Sequence, residues 1–245
     1  HVAISDVDAA GLAATHEACE GLGVKVTSQA VDVADRAAVA AWADEVVAEH
    51  GRVNMIVNNA GVALSATIES MSYEDLEWLM GVNFWGVVHG TKEFLPHLKA
   101  TGEGHVVNIS SVFGLMAIPT QSAYNAAKFG VRGFTDALRI ELDIDRCGVS
   151  ATTVHPGGIR TNIVRNARLD PDSSPLGGDN DAAAVQFARA ARTTPDAAAN
   201  QILAAVQRNR RRALIGPDAV VFDAVSRLPA GVSQRFLALG SRLRR

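Results

Sequence analysis

The sequence predicts an α/β fold: a doubly wound parallel sheet, with helices on both faces, in a single domain over 1–245. Three observations predict it. Short apolar runs alternate with segments of helical periodicity, the pattern of repeated βαβ units. Each of several such runs stops at polar or glycine residues: Asp6, Asp32, Asn58-Asn59-Ala60-Gly61, Ser110-Ser111 and Pro156-Gly157. The chain has 245 residues, 48% of them hydrophobic, enough to bury one large core.

Taken in order, 1–5 reads as a short strand running into Asp6, and 8–21 as a helix closed by Gly21 and Gly23. Residues 24–31 alternate as a strand. Residues 36–50 form a helix, with Gly51 placed where a left-handed cap needs glycine. Residues 53–57 make a short apolar run, the pattern of a strand buried on both faces. Helical patterning covers 72–98, with Pro96 near its close. A buried strand at 105–109, a helix at 121–145 and a strand at 149–154 follow. The stretch 162–195 is rich in Asp, Pro, Ser, Gly and Ala and lacks periodicity, as a functional lid or a disordered segment does. A helix at 195–209 and an edge strand at 212–215 precede a tail, 218–245. Pro229 and Gly231 interrupt that tail, which ends in Arg242-Leu-Arg-Arg.

The bulk numbers exclude several classes. A net charge of −3 and 5% aromatic residues give no basic or base-stacking surface for nucleic acid. Cys19 and Cys147 are the only cysteines. Two cysteines make neither a disulfide framework nor a metal site, and they fit a reducing, cytoplasmic setting. No apolar run has the length of a transmembrane segment, and no secretory signal is visible.

The chemistry concentrates in four side chains. Tyr124 and Lys128, four residues apart, share one helix face. A phenol with a pKa of about 10 is a poor base near neutrality. Bringing it to pH 7 takes roughly 3 units, about 4 kcal/mol, and a neighbouring ammonium supplies part of that. Alone, such a pair is an ordinary feature of a solvated helix. Ser111, however, lies thirteen residues upstream, in Asn108-Ile-Ser-Ser-Val-Phe-Gly114 at a strand end. Asn83 sits in Gly81-Val-Asn-Phe-Trp-Gly86 on an otherwise apolar helix side.

Together, Asn58-Asn-Ala-Gly61, Asn83, Ser111, Tyr124-Asn-Ala-Ala-Lys128 and Pro156-Gly-Gly-Ile-Arg-Thr161 strongly resemble the short-chain dehydrogenases/reductases. The likeness runs motif by motif through 1–161 and more loosely through 196–216. It implies a Rossmann-like domain and an oxidoreductase that passes a hydride between NAD(H) and a secondary alcohol or ketone. It makes Tyr124 the general acid/base and Lys128 the group that lowers its pKa and holds the nicotinamide ribose. Ser111 orients the substrate oxygen, and Asn83 holds a water through its main chain. Asn59, Ala60 and Gly61 line the cofactor groove, and Asp32 and Val33 flank the adenine. In the Pro156-Gly157 turn, Ile159 (backbone) and Thr161 (side chain) meet the carboxamide. A homodimer or homotetramer is implied as well.

Asp6 selects the nucleotide. An acid after the second strand of a dinucleotide fold accepts from the adenosine ribose hydroxyls and repels a 2′-phosphate. Val7 follows it, with no arginine to receive NADP. The competing reading of Asp6 is a helix N-cap. One family feature does not occur in 1–245: the loop Thr-Gly-x-x-x-Gly-x-Gly with its strand. The resemblance therefore implies a preceding βα unit of about 30 residues, its strand central in the sheet.

A non-catalytic sensor or scaffold of the same fold is the alternative. It has no need to keep Asn83, Ser111, Tyr124 and Lys128 together. Val112, Phe113, Leu115, Met116 and Ile118 make the segment after Ser111 apolar, which favours a hydrophobic substrate body. Leu169, Leu176, Val185 and Phe187 of the lid, and the tail, are expected to complete the pocket.

Overall fold

A computed structural model describes residues 1–170 and 180–229, with 231, 232, 234, 235 and 238 beyond them. The elements are β1 (Val2–Asp6), α1 (Ala9–Glu20), β2 (Val26–Ala30), α2 (Arg36–His50), β3 (Met55–Asn58) and β4 (Leu64–Ser65). There follow α3 (Tyr73–Met80), α4 (Gly86–Ala100), β5 (Gly104–Ile109), α5 (Ser122–Asp145) and β6 (Val149–Pro156). The remainder are β7 (Arg168–Leu169), α6 (Asn180–Ala190), α7 (Pro195–Gln207), β8 (Arg212–Ile215) and α8 (Pro217–Ser226).

Local chemistry sets the helix ends. Asp8, Asp35, Ser72 and Thr194 each accept a first-turn amide of α1, α2, α3 and α7. Gly51 ends α2 with φ +76°, a conformation that favours glycine. The helical patterning at 72–98 is realised as α3 and α4 joined by a π-turn, Gly81–Trp85.

All strand pairings are parallel. One sheet has the order β3-β5-β6-β8; β1-β2 and β4-β7 are separate pairs. Alternation along β5 and β6 sends side chains to two faces. Val106, Val149 and Ala151 join Val46 of α2, Phe94 and Leu98 of α4, and Leu138 and Leu142 of α5. Val107 and Val154 join Ala198 and Ile202 of α7. Helices thus cover both faces, the doubly wound α/β arrangement. The start of α2 and the turn before it are tied to α4 by Arg36–Glu93 (3.2 Å) and by His89 Nδ1 against the Val33 carbonyl (3.0 Å).

Two sequence expectations are corrected. β3 is not buried on both faces: Ile56 enters the core, but Met55 and Val57 are each 42% exposed. Its apolar run matched a fully covered strand, whereas one face is open and, among the described residues, β1 and β3 each pair along a single edge. The 162–195 stretch is not devoid of regular structure, since it carries β7 and α6. Two-residue strands have no period to read, and the alanines of α6 give little contrast between faces. Leu176, Phe236 and 239–245 lie outside the described residues. Among those described, no helix is long and apolar enough to cross a membrane.

Candidate active site

Because the strands run parallel, their carboxyl ends share an edge, and ligands bind beyond that edge in such sheets. Ser111 leaves β5 in an extended conformation and is largely buried; its Oγ accepts the Phe113 amide at 3.1 Å. Ser110, beside it, donates through Oγ to the Lys128 carbonyl at 2.8 Å, so β5 and α5 are pinned together next to the site. Gly114 lets them close: a Cβ there would overlap Ser110 Oγ and the Lys128 backbone.

On α5, Tyr124 and Lys128 face the same way, with Lys128 Nζ 5.6 Å from the phenol ring centroid. Lys128 is 2% exposed and donates from Nζ to the Ile109 carbonyl at 3.0 Å. Burial lowers its pKa from 10.5 to about 8, so it remains mostly charged at neutral pH. Burial raises the Tyr124 pKa above 10.0, and the Ser111 hydroxyl opposes the rise by hydrogen bonding to it. At neutral pH the tyrosine is therefore a protonated donor. The lowering expected from Lys128 is not among the shifts acting on it.

Asn83 is fully buried on the π-turn, an irregularity frequent at functional sites. Its amide clasps one residue at two points: Oδ1 accepts the Val62 amide and Nδ2 donates to the Val62 carbonyl, both at 2.8 Å. That holds the loop after Gly61 down. A Cβ on Gly61 would lie 3.5 Å from Asn83 Oδ1 and 3.7 Å from Lys128 Nζ, so these three positions adjoin. Asn59, Ala60 and Gly61 are exposed at the end of β3. Beneath them Asn58 Nδ2 donates to Asn108 Oδ1 (2.8 Å) and Thr91 Oγ1 (3.1 Å), and Asn108 donates to Thr135.

Asp6 is exposed at the end of β1, and its Oδ1 accepts the Asp8 amide at 3.0 Å. The N-cap of α1 is Asp8, so that role is not the one Asp6 plays. Asp32, exposed after β2, accepts the Ala34 amide at 2.9 Å, and Val33 packs against Gly86. The turn after β6 holds Pro156, Gly157 and Ile159 partly buried and Thr161 exposed; the Thr161 amide donates to the Ile159 carbonyl at 2.8 Å.

The structure adds residues that sequence reasoning passed over. His155 is fully buried and its Nδ1 lies 2.9 Å from the Ser111 carbonyl; a carbonyl only accepts, so Nδ1 carries the proton. Burial lowers its pKa to about 4. Phe113 meets the Tyr124 ring edge-on at 6.1 Å and Phe222 of α8 at 6.4 Å. Asp218 of α8 reaches Gly158. The position of His155 immediately before Pro156-Gly157 was the available signal for it; Phe222 and Asp218 gave none.

A parallel doubly wound sheet with a serine, tyrosine and lysine gathered at its carboxyl edge defines a nucleotide-dependent oxidoreductase. Residues 1–172 match the family profile described as short chain dehydrogenase. The chain belongs to that family. It is 47% identical over 241 residues to a Mycobacterium tuberculosis (strain ATCC 25618 / H37Rv) protein named as the oxidoreductase SadH, covering 98% of this chain and 85% of that one. It is 34% identical over 170 residues to 3-ketodihydrosphingosine reductase of Bacteroides thetaiotaomicron, covering 69% of this chain and 61% of that protein. A short-chain dehydrogenase/reductase from Burkholderia phymatum, crystallised with NAD, superposes with a TM-score of 0.81 at 27% identity, covering 91% of this chain and 82% of that one.

Proposed function

We propose that this protein is an NAD(H)-dependent dehydrogenase that moves a hydride between the cofactor and a secondary alcohol or ketone with an apolar body. The observation that carries this reading is the buried Lys128 ammonium one helical turn behind Tyr124, with its Nζ 5.6 Å from the phenol ring centroid. A sensor or scaffold has no use for a buried cation maintained against its desolvation cost.

The residues present fit a dinucleotide. Asp6 offers an exposed carboxylate not spent on capping α1, suited to the adenosine ribose diol. Asp32 and Val33 stand where the adenine would lie, and the exposed Asn59-Ala60-Gly61 run leaves room for close approach. Ile159 and Thr161 would meet the carboxamide. Bound NAD(H) supplies or accepts the hydride at its nicotinamide C4.

The chain's own groups do the rest. Ser111 Oγ donates to the substrate oxygen and orients it. In reduction Tyr124 Oη gives its proton to that oxygen; in oxidation the phenolate takes it back. Lys128 stabilises the phenolate and holds the nicotinamide ribose. Asn83, its amide committed to Val62, acts through its main chain to hold a relay water. Phe113 and Phe222 form an aromatic wall beside Tyr124, which supports an apolar substrate.

On α5, Phe129, Ile140 and Ile144 are exposed, the last two at 57% and 76%. This apolar stripe supports a homodimer or homotetramer, and light scattering on the purified protein tests it. The free thiols of Cys19 and Cys147 suit the reducing cytoplasm. The test of the function is spectrophotometric: secondary alcohols and ketones of graded bulk, with NAD(H) and NADP(H). NADH oxidation that increases with an apolar ketone supports the reading; no turnover with any carbonyl, but retained NADH binding, favours the sensor.

A further inference from the structure

The turn that follows β6 is held by a carboxylate from the far end of the chain. Gly157 donates its amide to the Ile215 carbonyl at 3.0 Å, and Gly158 donates its amide to Asp218 Oδ2 at 2.6 Å. Thr193 closes a third side, its amide reaching the Gly158 carbonyl at 3.4 Å and its carbonyl taking the Arg160 amide at 3.0 Å. The carboxylate lies directly on the turn, for a Cβ on Gly157 would overlap both of its oxygens. Gly216, at φ +90°, swings the chain from β8 into α8 and so delivers Asp218; a Cβ there would sit 2.7 Å from Asp218 Oδ1 and 2.8 Å from Thr193 Oγ1. A backbone amide bonded to an ionised acceptor is stronger than a neutral pair, and the first turn of a helix favours the negative charge.

We propose that Asp218 is a positioning residue for the nicotinamide end of the cofactor. It fixes the Gly157–Gly158 peptide, and with it the direction in which Ile159 and Thr161 face the groove. Asp218 acts through Gly158 rather than by touching the cofactor. The inference rests on the dehydrogenase reading, which assigns this turn to the carboxamide. It gives α8 a role in cofactor geometry in addition to the wall that Phe222 forms. One face of the helix does both, since Asp218 and Phe222 are one turn apart.

The test uses the full-length protein with Asp218→Ala and Asp218→Asn. The first removes the acceptor; the second keeps an acceptor oxygen without the charge. NADH affinity is read by fluorescence titration, and exchange of the 156–162 peptide is read by hydrogen–deuterium mass spectrometry without cofactor. Loss of a hydrogen bond to a charged group predicts an NADH Kd about 10-fold weaker for alanine. Asparagine should stay within about 3-fold of the parent, since a neutral hydrogen bond keeps part of that stabilisation. Exchange across 156–162 should rise in alanine and stay near the parent in asparagine. The KM for NADH should rise more than kcat falls. Unchanged exchange in alanine, or faster exchange with an unchanged Kd, would overturn the assignment. A parent that binds no NADH, with exchange nevertheless responding to Asp218→Ala, would overturn the dehydrogenase reading and the cofactor role of Asp218 with it.

Discussion

Lys128→Met should abolish turnover and make the protein more stable. Burial lowers the lysine pKa from 10.5 to about 8. That difference corresponds to about 3 kcal/mol of penalty on the charged form at neutral pH. Methionine fills a similar volume without the charge. The substitution also removes the 3.0 Å bond to the Ile109 carbonyl, and leaving that acceptor short of a partner costs about 1–3 kcal/mol. The balance favours the variant by on the order of 1 kcal/mol, a Tm rise of about 2–4 °C for a domain of this size. The sign follows from proton counting. Between the folded value of about 8 and the unfolded value of 10.5 the unfolded chain binds more protons, so the parent gains stability as pH rises through that window. The penalty is fully present below pH 8, and the Tm gap between variant and parent should close and then reverse toward pH 10, where only the lost Ile109 bond remains. Calorimetry at pH 7 and pH 9.5 reads this, with NADH oxidation measured alongside. A variant that melts below the parent at pH 7, or a gap that does not narrow, would refute a charged lysine held against desolvation. Near-parental turnover would remove Lys128 from the chemistry.

Three further outcomes follow from the same geometry. Asp6→Ala should narrow the preference for NAD over NADP by weakening NAD more than NADP, as kcat/KM for both cofactors would show; an equal or reversed preference in the parent protein would contradict the role of Asp6. Residues 162–170 and 180–195 should lose hydrogen exchange when NADH and a ketone bind, closing over the hydride path; high, unchanged protection would make them a fixed wall. Acid should destabilise the protein through His155: its pKa is lowered from 6.5 to about 4, so its contribution is present above 6.5 and is lost as pH falls to about 4. His155→Asn should flatten the pH 7 to 4.5 dependence of the urea midpoint by about 3 kcal/mol in free energy, and an unchanged slope would show that His155 is not the group titrating.

Legibility in the sequence followed the range of the forces involved. α2 was readable at both ends because its cap, Asp35, and its terminator, Gly51, are local. Ser111, Tyr124 and Lys128 were readable because fixed spacing on a helix and a strand end carries them. β5 was readable as a buried strand, but the open face of β3 was not, because an apolar run does not reveal which face lacks a cover. Asp218 and Phe222 meet partners 60 and 109 residues away in the chain, so no local pattern marks them, and His155, whose partner lies 44 residues away, had only its place before Pro156-Gly157 as a signal. The same holds for the direction of the Tyr124 shift: spacing shows the lysine but not that desolvation of the phenol outweighs the other influences on it.

The central claim is that Tyr124 transfers the proton that accompanies the hydride. Tyr124→Phe tests it most directly, because it removes one oxygen and leaves the ring packed on Phe113. NADH affinity should be nearly unchanged while single-turnover reduction of an accepted ketone falls by at least about 100-fold, the lower range for general acid–base catalysis. A phenylalanine variant that reduces the ketone at close to the parental rate would contradict the account.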